Sequence, residues 1–313
     1  MHENTILAYT TNANRITAEV AEKFGRVTVQ TYFDYLMEKS AELCTNTIRI
    51  YKRSVCYALE SEGRDREADE LRGMFDEVDN PARGRKLKLV RRVPHNIFER
   101  TLFTLRESKS KTWQQAADLL VATAITGLRP SEWANATLKG RLLTVPNAKH
   151  SELRGNGEER ELELLDTITV EERAAIENTM KLIRAKGYKT VRPNLAVAFK
   201  AALGEAIRQL GESRWFLRLR IYDFRHQFSA DAKHEWGIGT GMVAAAMGHS
   251  VEDTAVQHYG RLKHGKGGLK VRPSAESIAK VRRLYPVQGP TPPALTPPTS
   301  PAPAGGGKVR LSF

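Results

Sequence analysis

A mainly α fold carrying one small antiparallel β-sheet is predicted by three features of the sequence. Apolar residues recur at spacings of three and four through residues 15 to 79, and helical patterns return from residue 94 to about 260. Strand-like alternation is confined to residues 141 to 164, where RLLTV and ELELL flank an Asn156-Gly157 turn signal. The 313 residues amount to two domains at about 150 residues each, enough chain to bury a core in both.

Taken in order, residues 1 to 80 read as a helical domain interrupted at Gly25, at Thr45-Asn46 and at Gly63. After Thr45, the residues Ile48, Tyr51, Val55 and Leu59 make one apolar stripe, while Arg49, Lys52 and Arg53 flank it as a basic face. For a single helix of this kind a solvated charged face is the plainer reading; the residues that follow give the basic face its weight. Asn80-Pro81 marks a turn, and the span 81 to 93 then carries Arg83, Arg85, Lys86, Lys88, Arg91 and Arg92 before Pro94. It reads as a basic linker, suited to a clamp around duplex DNA because each cation that neutralises a phosphate releases counterions.

The second domain, residues 94 to 272, opens with NIFERTLFTL and TWQQAADLLVATAIT, in which Trp113, Ala117, Leu120 and Ala124 share a face. Gly127 is placed to end that helix and Pro130 to begin another, which leaves Arg129 in a short turn. Beyond the hairpin, TVEERAAIENTMKLIRA is helical, and Phe199, Leu203, Ile207 and Leu210 form a further stripe. Residues 273 to 285 read as a short amphipathic helix with Ile278, Val281 and Leu284 on one side. The remainder, 286 to 313, is so rich in Pro, Thr, Ala and Gly that it reads as a disordered tail.

Lys plus Arg number 49 against 36 for Asp plus Glu, a net charge of +13 that favours a polyanionic partner. No apolar run approaches the ~18 residues of a spanning helix, and the mean hydropathy is -0.45, which excludes an integral membrane protein. The first residues show no secretory pattern, so the expected location is cytoplasmic. Cys44 and Cys56 alone can form neither a disulfide framework nor a four-ligand zinc site. Metal-ligand spacing, a phosphate-cradling glycine loop and a Gly-x-Ser-x-Gly elbow are all missing from the sequence.

What remains is a dispersed set of polar residues. TGLRPSEW at 126 to 133 puts Arg129 between helices, and YDFRHQF at 222 to 228 puts Tyr222 and Arg225 on one helical face. In AMGHSVEDTAVQHYGR at 246 to 261, Gly248 ends a helix and Ser250 with Asp253 forms a capping-box pattern, which leaves His249 in a turn and Tyr259 near the end of the next helix. Lys149 lies in the hairpin region, as do Lys139 and Arg154. Each of these residues alone has a structural explanation as a surface ion-pair partner, a cap or an aromatic. In this order, and with these separations, they resemble the tyrosine recombinases, or phage-type integrases.

The resemblance covers residues 94 to 285 clearly and 15 to 80 loosely. It implies a helical core-binding domain followed by a tyrosine-recombinase catalytic domain, with Arg129, Lys149, Tyr222, Arg225, His249 and Tyr259 as catalytic residues and Glu132 in support. Tyr259 would attack a DNA phosphodiester to give a 3'-phosphotyrosyl link, with no metal or other cofactor. Arg129 and Arg225 would bind the non-bridging oxygens, Lys149 would protonate the leaving 5'-oxygen, and His249 would donate a hydrogen bond. Tyr222 stands where the family usually has histidine; a phenol is a poor general base at neutral pH, and His226 is turned about 100° from Arg225. The implied assembly is a tetramer on double-stranded DNA, with the 273 to 285 helix packing on a neighbour and accessory DNA-bending proteins as further partners. Alternatives are a hairpin-forming telomere resolvase, a type IB topoisomerase-like activity, and a DNA-binding relative that has lost catalysis.

Overall fold

The structure is a computed structural model, and it describes residues 3–76, 90, 92–147, 157–251 and 260–282. Lys149, Tyr259, Asp253, Arg154, Leu284, the linker cations Arg83, Arg85, Lys86, Lys88 and Arg91, and the 286 to 313 tail lie outside the described residues. The chain divides into two compact units, Met1–Leu89 and Val90–Phe313, each with its own cluster of buried apolar side chains.

The first unit contains α1 (Glu3–Phe24), α2 (Val29–Glu42), α3 (Thr45–Ser61) and α4 (Asp65–Asp76). Gly25 and Gly63, both at positive φ, follow α1 and α3, as expected of residues that end helices in the left-handed region. Thr28 and Thr31 cap α2 reciprocally. Helix α1 starts at Glu3, twelve positions before residue 15, where the apolar periodicity begins, and buries Ala13, Ile16 and Val20. Its first turns are held by Tyr9, whose ring lies 5.9 Å from that of Tyr57 on α3, an aromatic contact that aliphatic periodicity does not register. The break after α2 falls at Leu43 and Cys44, and Ile48, Val55 and Leu59 are buried on α3 as their spacing requires.

The second unit is built on α6 (Lys111–Thr126), which packs against α5 (His95–Glu107), α7 (Val170–Lys186), α8 (Tyr188–Leu210) and α9 (Ile221–Trp236). A four-stranded antiparallel sheet runs in the order β1 (Thr137–Lys139), β2 (Leu142–Pro146), β3 (Glu159–Leu164), β4 (Val271–Pro273). Two short helices, α10 (Met242–Met247) and α11 (Ala275–Ala279), complete it. Leu143 and Val145 on β2 face the core with Leu162 and Leu164 on β3. The alternation puts Arg160, paired with Val145 in the register, on that same buried face.

In the second unit two boundaries differ from the sequence reading. Pro130 begins no helix: residues 130 to 135 form turns, in which Glu132 N–H donates to the Arg129 carbonyl and the fully buried Trp133 anchors the segment. The helix expected over 273 to 285 stops at Ala279, because the Arg282 N–H is taken by the Ser250 carbonyl at 2.9 Å in a bridge between Val251 and Arg282. In this structure α11 rests on its own chain, with Ser277 Oγ accepting from Glu161 N–H at 2.8 Å and Ile278 and Val281 close to Gly241. Among the described residues no helix is long and apolar enough to cross a membrane.

Gly127 caps α6 at φ 63°, and a Cβ there would run into the ring of Phe228 on α9. Gly127→Ala is therefore expected to destabilise the protein by about 1–3 kcal/mol in chemical denaturation, combining left-handed backbone strain with overpacking.

Candidate active site

Two helix C-termini meet at one arginine. Arg225, in the second turn of α9, is fully buried; its Nη1 donates to the Gly127 carbonyl at the end of α6, and its Nη2 to the Met247 carbonyl at the end of α10, at 2.9 Å. The carbonyls at a helix end have no partner within the helix and carry its negative dipole end, so a guanidinium satisfies both needs. Each of the two helices ends in a left-handed glycine, Gly127 or Gly248, and releases its chain into the site. Arg129 is two residues beyond the first glycine and His249 one beyond the second. Asp223 starts α9 by accepting from the Arg220 N–H at 2.8 Å, which sets where Arg225 enters.

Glu132 sits among three guanidinium groups. Its carboxylate accepts from Arg129 N–H and Arg129 Nη1, each at 2.7 Å, and from Arg160 Nη2 at 2.7 Å, while Arg225 Nη1 stands 3.9 Å away. The side chains of Glu132, Arg160 and Arg225 are all fully buried. Burial alone would raise the Glu132 carboxyl, but Arg160, Arg225 and Arg129 outweigh it and hold the pKa down to about 2. Removing one partner of such a buried pair typically costs ~3–5 kcal/mol, because the remaining charge is left uncompensated.

His249 shares this environment. Burial, followed by the charges of Arg225, Arg129 and Arg160, pushes its pKa down to about 2 against the partial opposition of Glu132. The imidazole is therefore neutral throughout the neutral pH range, able to donate from one nitrogen and accept at the other.

The structure thus brings Arg129, Arg225 and His249 together. Tyr222 lies half-buried in the first turn of α9, its ring 5.4 Å from that of His226 in an edge-on contact. Burial lowers the pKa of His226, with Asp223 opposing and Arg225 reinforcing the shift. The segment after residue 259 is strapped along α9. Lys233, 2% exposed, donates from Nζ to the Gly260 carbonyl at 2.7 Å. Gln227 donates to the His264 carbonyl at 2.8 Å, Asp231 accepts from Lys266 N–H at 2.8 Å, and Glu235 accepts from Leu269 N–H at 2.9 Å. Gly260 and Gly265 lie so close to the α9 backbone at His226 and Ala230 that neither has room for a Cβ.

In the first unit, Arg49 and Arg53 are exposed, while Lys52 is partly committed to Asp76 at 3.7 Å and to the Phe75 ring at 5.1 Å. All three line a surface hollow together with Tyr9, Tyr57 and Arg72. Arg92 is exposed in the second unit. Among the described residues no group of His, Cys, Asp or Glu side chains is arranged to hold a metal ion. Sequence reasoning missed Arg160, although ERELEL carried the signal: in a half-buried strand, Arg160 falls on the same face as Leu162 and Leu164.

Comparison with known proteins adds the fold. No family model and no curated protein matches the chain. Among solved structures, the Tn1549 transposon integrase in complex with transposon right end DNA is 15% identical, with a TM-score of 0.53 over 84% of this chain and 92% of that one. Lambda integrase bound to DNA is 12% identical, with a TM-score of 0.39 over 80% of this chain and 94% of that one. The chain has the mainly helical, small-sheet fold of the tyrosine-recombinase catalytic domain.

Because the folded-state pKa of His249 lies below its unfolded value near 6.5, its contribution to stability is complete above pH ~6.5 and is lost as pH falls from there towards 2. The loss approaches ~1.4 kcal/mol per pH unit, the linkage slope for one proton. His249→Gln should accordingly show a flatter fall in stability between pH 6.5 and 5 than the parent chain. In the parent, the His249 imidazole NMR signals should not shift over that range; titration near pH 6.5 would contradict the assignment.

Proposed function

We propose that the chain is a site-specific DNA recombinase of the tyrosine type, serving a mobile element as integrase, excisionase or resolvase. The observation that supports this reading is the buried assembly of Arg129, Arg225 and His249 near Glu132, whose net positive charge suits a phosphodiester.

In the proposed cleavage step, the Tyr259 phenol oxygen bonds to phosphorus as the bond to the 5'-oxygen breaks. Lys149 gives its proton to the departing 5'-oxygen, and the phenolic proton passes to solvent. Rejoining runs the same exchange in reverse from the 5'-hydroxyl of a partner strand. The arginines stabilise the negative charge that gathers on the non-bridging oxygens, and losing either should cost on the order of 100-fold in rate, as for oxyanion-hole donors. His249, its basicity depressed by the surrounding arginines, is suited to donating a hydrogen bond to phosphate rather than to taking the phenolic proton.

Duplex DNA is the proposed partner of both units, with Arg49, Lys52, Arg53 and the cations of the 81 to 93 span making phosphate contacts. Strand exchange between two sites calls for a tetramer on DNA, in which residues 273 to 285 could pack on a neighbour and DNA-bending proteins could assist. The proposed location is the cytoplasm. Tyr222 at the position of the family's usual histidine favours one second reading, a DNA-binding relative that no longer cleaves.

The test is incubation of the full chain with nicked suicide duplexes from its own genetic neighbourhood, with chelator present, resolved on a denaturing gel. A slow-migrating protein-DNA adduct is expected for the parent and not for Tyr259→Phe. DNA binding that weakens with salt, without any adduct across the candidate sites, would favour the silent binder.

A further inference from the structure

The strap along α9 does not close against the helices everywhere. Where residues 266 to 270 meet α5, α6 and α9 they leave a cavity of about 450 Å³, within the ~300–1,000 Å³ typical of sites for small ligands. Its walls are apolar: Phe98 and Leu102 on α5, Ile125 on α6, Phe224 and Phe228 on α9, and Leu269 of the strap. The Phe98 and Phe224 rings stand 5.5 Å apart, and Phe228 is almost completely buried. An apolar body placed here would gain contacts that the surrounding side chains do not supply to one another.

The polar part of the lining has one unanswered charge. Of its three carboxylates, Glu99 is exposed and Glu172 is paired with Lys270 at 2.5 Å, which leaves Asp231, half-buried on α9 and in no ion pair among the described residues. Asp231 Oδ1 accepts from Lys266 N–H at 2.8 Å and from Gln227 Nε2 at 3.1 Å, whereas Oδ2 accepts no hydrogen bond among the described residues. Burial raises the Asp231 pKa, and those two bonds with the charges of Lys266 and His234 oppose the shift only in part. Lys266 and Arg106 are exposed, where solvent screens them. A cation that reaches this carboxylate from inside the cavity would stabilise it.

We propose that the cavity is a binding site for a small amphipathic amine, its aromatic body against Phe98, Phe224 and Phe228 and its ammonium on Asp231 Oδ2. The site stands apart from the reading of the chain as a recombinase, because no residue of the cavity belongs to the Glu132 cluster. A seated ligand joins α5, α6 and α9 to the strap, and the Lys266 N–H, already bonded to Asp231, reports its presence.

The experiment titrates the full chain at neutral pH with three indoles that share one ring and differ in the polar end: tryptamine, a cation; tryptophol, uncharged; and indole-3-propionate, an anion. Binding is followed by NMR shifts of the Lys266 N–H and of the Phe224 and Phe228 rings. The variants are Asp231→Asn and Ala124→Trp, the second placing an indole of the protein's own in the cavity wall. Asp231→Asn keeps an oxygen for the Lys266 N–H, so it tests the site even where Ala124→Trp fails to fold.

Tryptamine should bind with a millimolar Kd or tighter and the anion more weakly by about tenfold. Asp231→Asn should weaken tryptamine by about tenfold, the scale of a charge-assisted hydrogen bond, and tryptophol by less than about twofold. Ala124→Trp should abolish the binding of all three. The site is overturned if tryptamine gives no saturable shift at millimolar concentration, if it binds Ala124→Trp undiminished, or if the anion binds as tightly as the cation. It is equally overturned if Asp231→Asn leaves tryptamine unaffected or weakens tryptophol to the same extent.

Discussion

The site depends on one carboxylate. Arg129, Arg160 and Arg225 are three permanent positive charges buried within reach of Glu132, and without Glu132 their repulsion and desolvation would drive the site open. Glu132 answers both problems, by charge and by geometry. It also ties the turn after α6 to strand β3 and brings both within reach of helix α9, so the electrostatic solution is at the same time a packing constraint. For the proposed phosphodiester substrate, a cationic site already held in shape would have little left to reorganise, the condition for strong transition-state stabilisation.

Glycines set how closely the parts approach. Gly127 and Gly248 end helices in the left-handed region, and each faces a neighbour that leaves no room for a side chain. Arg225 then joins the two helix ends through their last carbonyls. On the other side of α9, Gly260 and Gly265 allow the following segment to lie on the helix backbone, where Lys233, Gln227, Asp231 and Glu235 hold it. Helix α9 thus holds both Arg225 and the strap.

Much of this was legible in the sequence because glycine and charge are local signals. Gly25, Gly63, Gly127 and Gly248 marked helix ends correctly, and Arg129, Arg225 and His249 stood out by type and order. The parts that escaped depend on contacts distant in sequence. Strands β1 and β4 are three residues long and gain their definition only from pairing with β2 and β3. Helix α1 extends beyond its aliphatic stripe through Tyr9 and Tyr57, and α11 ends early because Ser250 captures Arg282. Pro130 can start a helix in principle, but burial of Glu132 and Trp133 holds a turn there instead. Arg160 was visible in the alternation of β3, but its value lay in partners at residues 132, 147 and 246 that no local pattern connects.

The central claim is that this cationic site serves attack by Tyr259 on a DNA phosphodiester. The most direct measurement is to trap the covalent adduct on a nicked duplex, digest both protein and DNA, and locate the nucleotide remnant by mass spectrometry. The account predicts the remnant on the peptide carrying Tyr259, linked through a 3'-phosphate. A remnant on Tyr222 or any other residue, or a 5'-phosphate linkage, would contradict it.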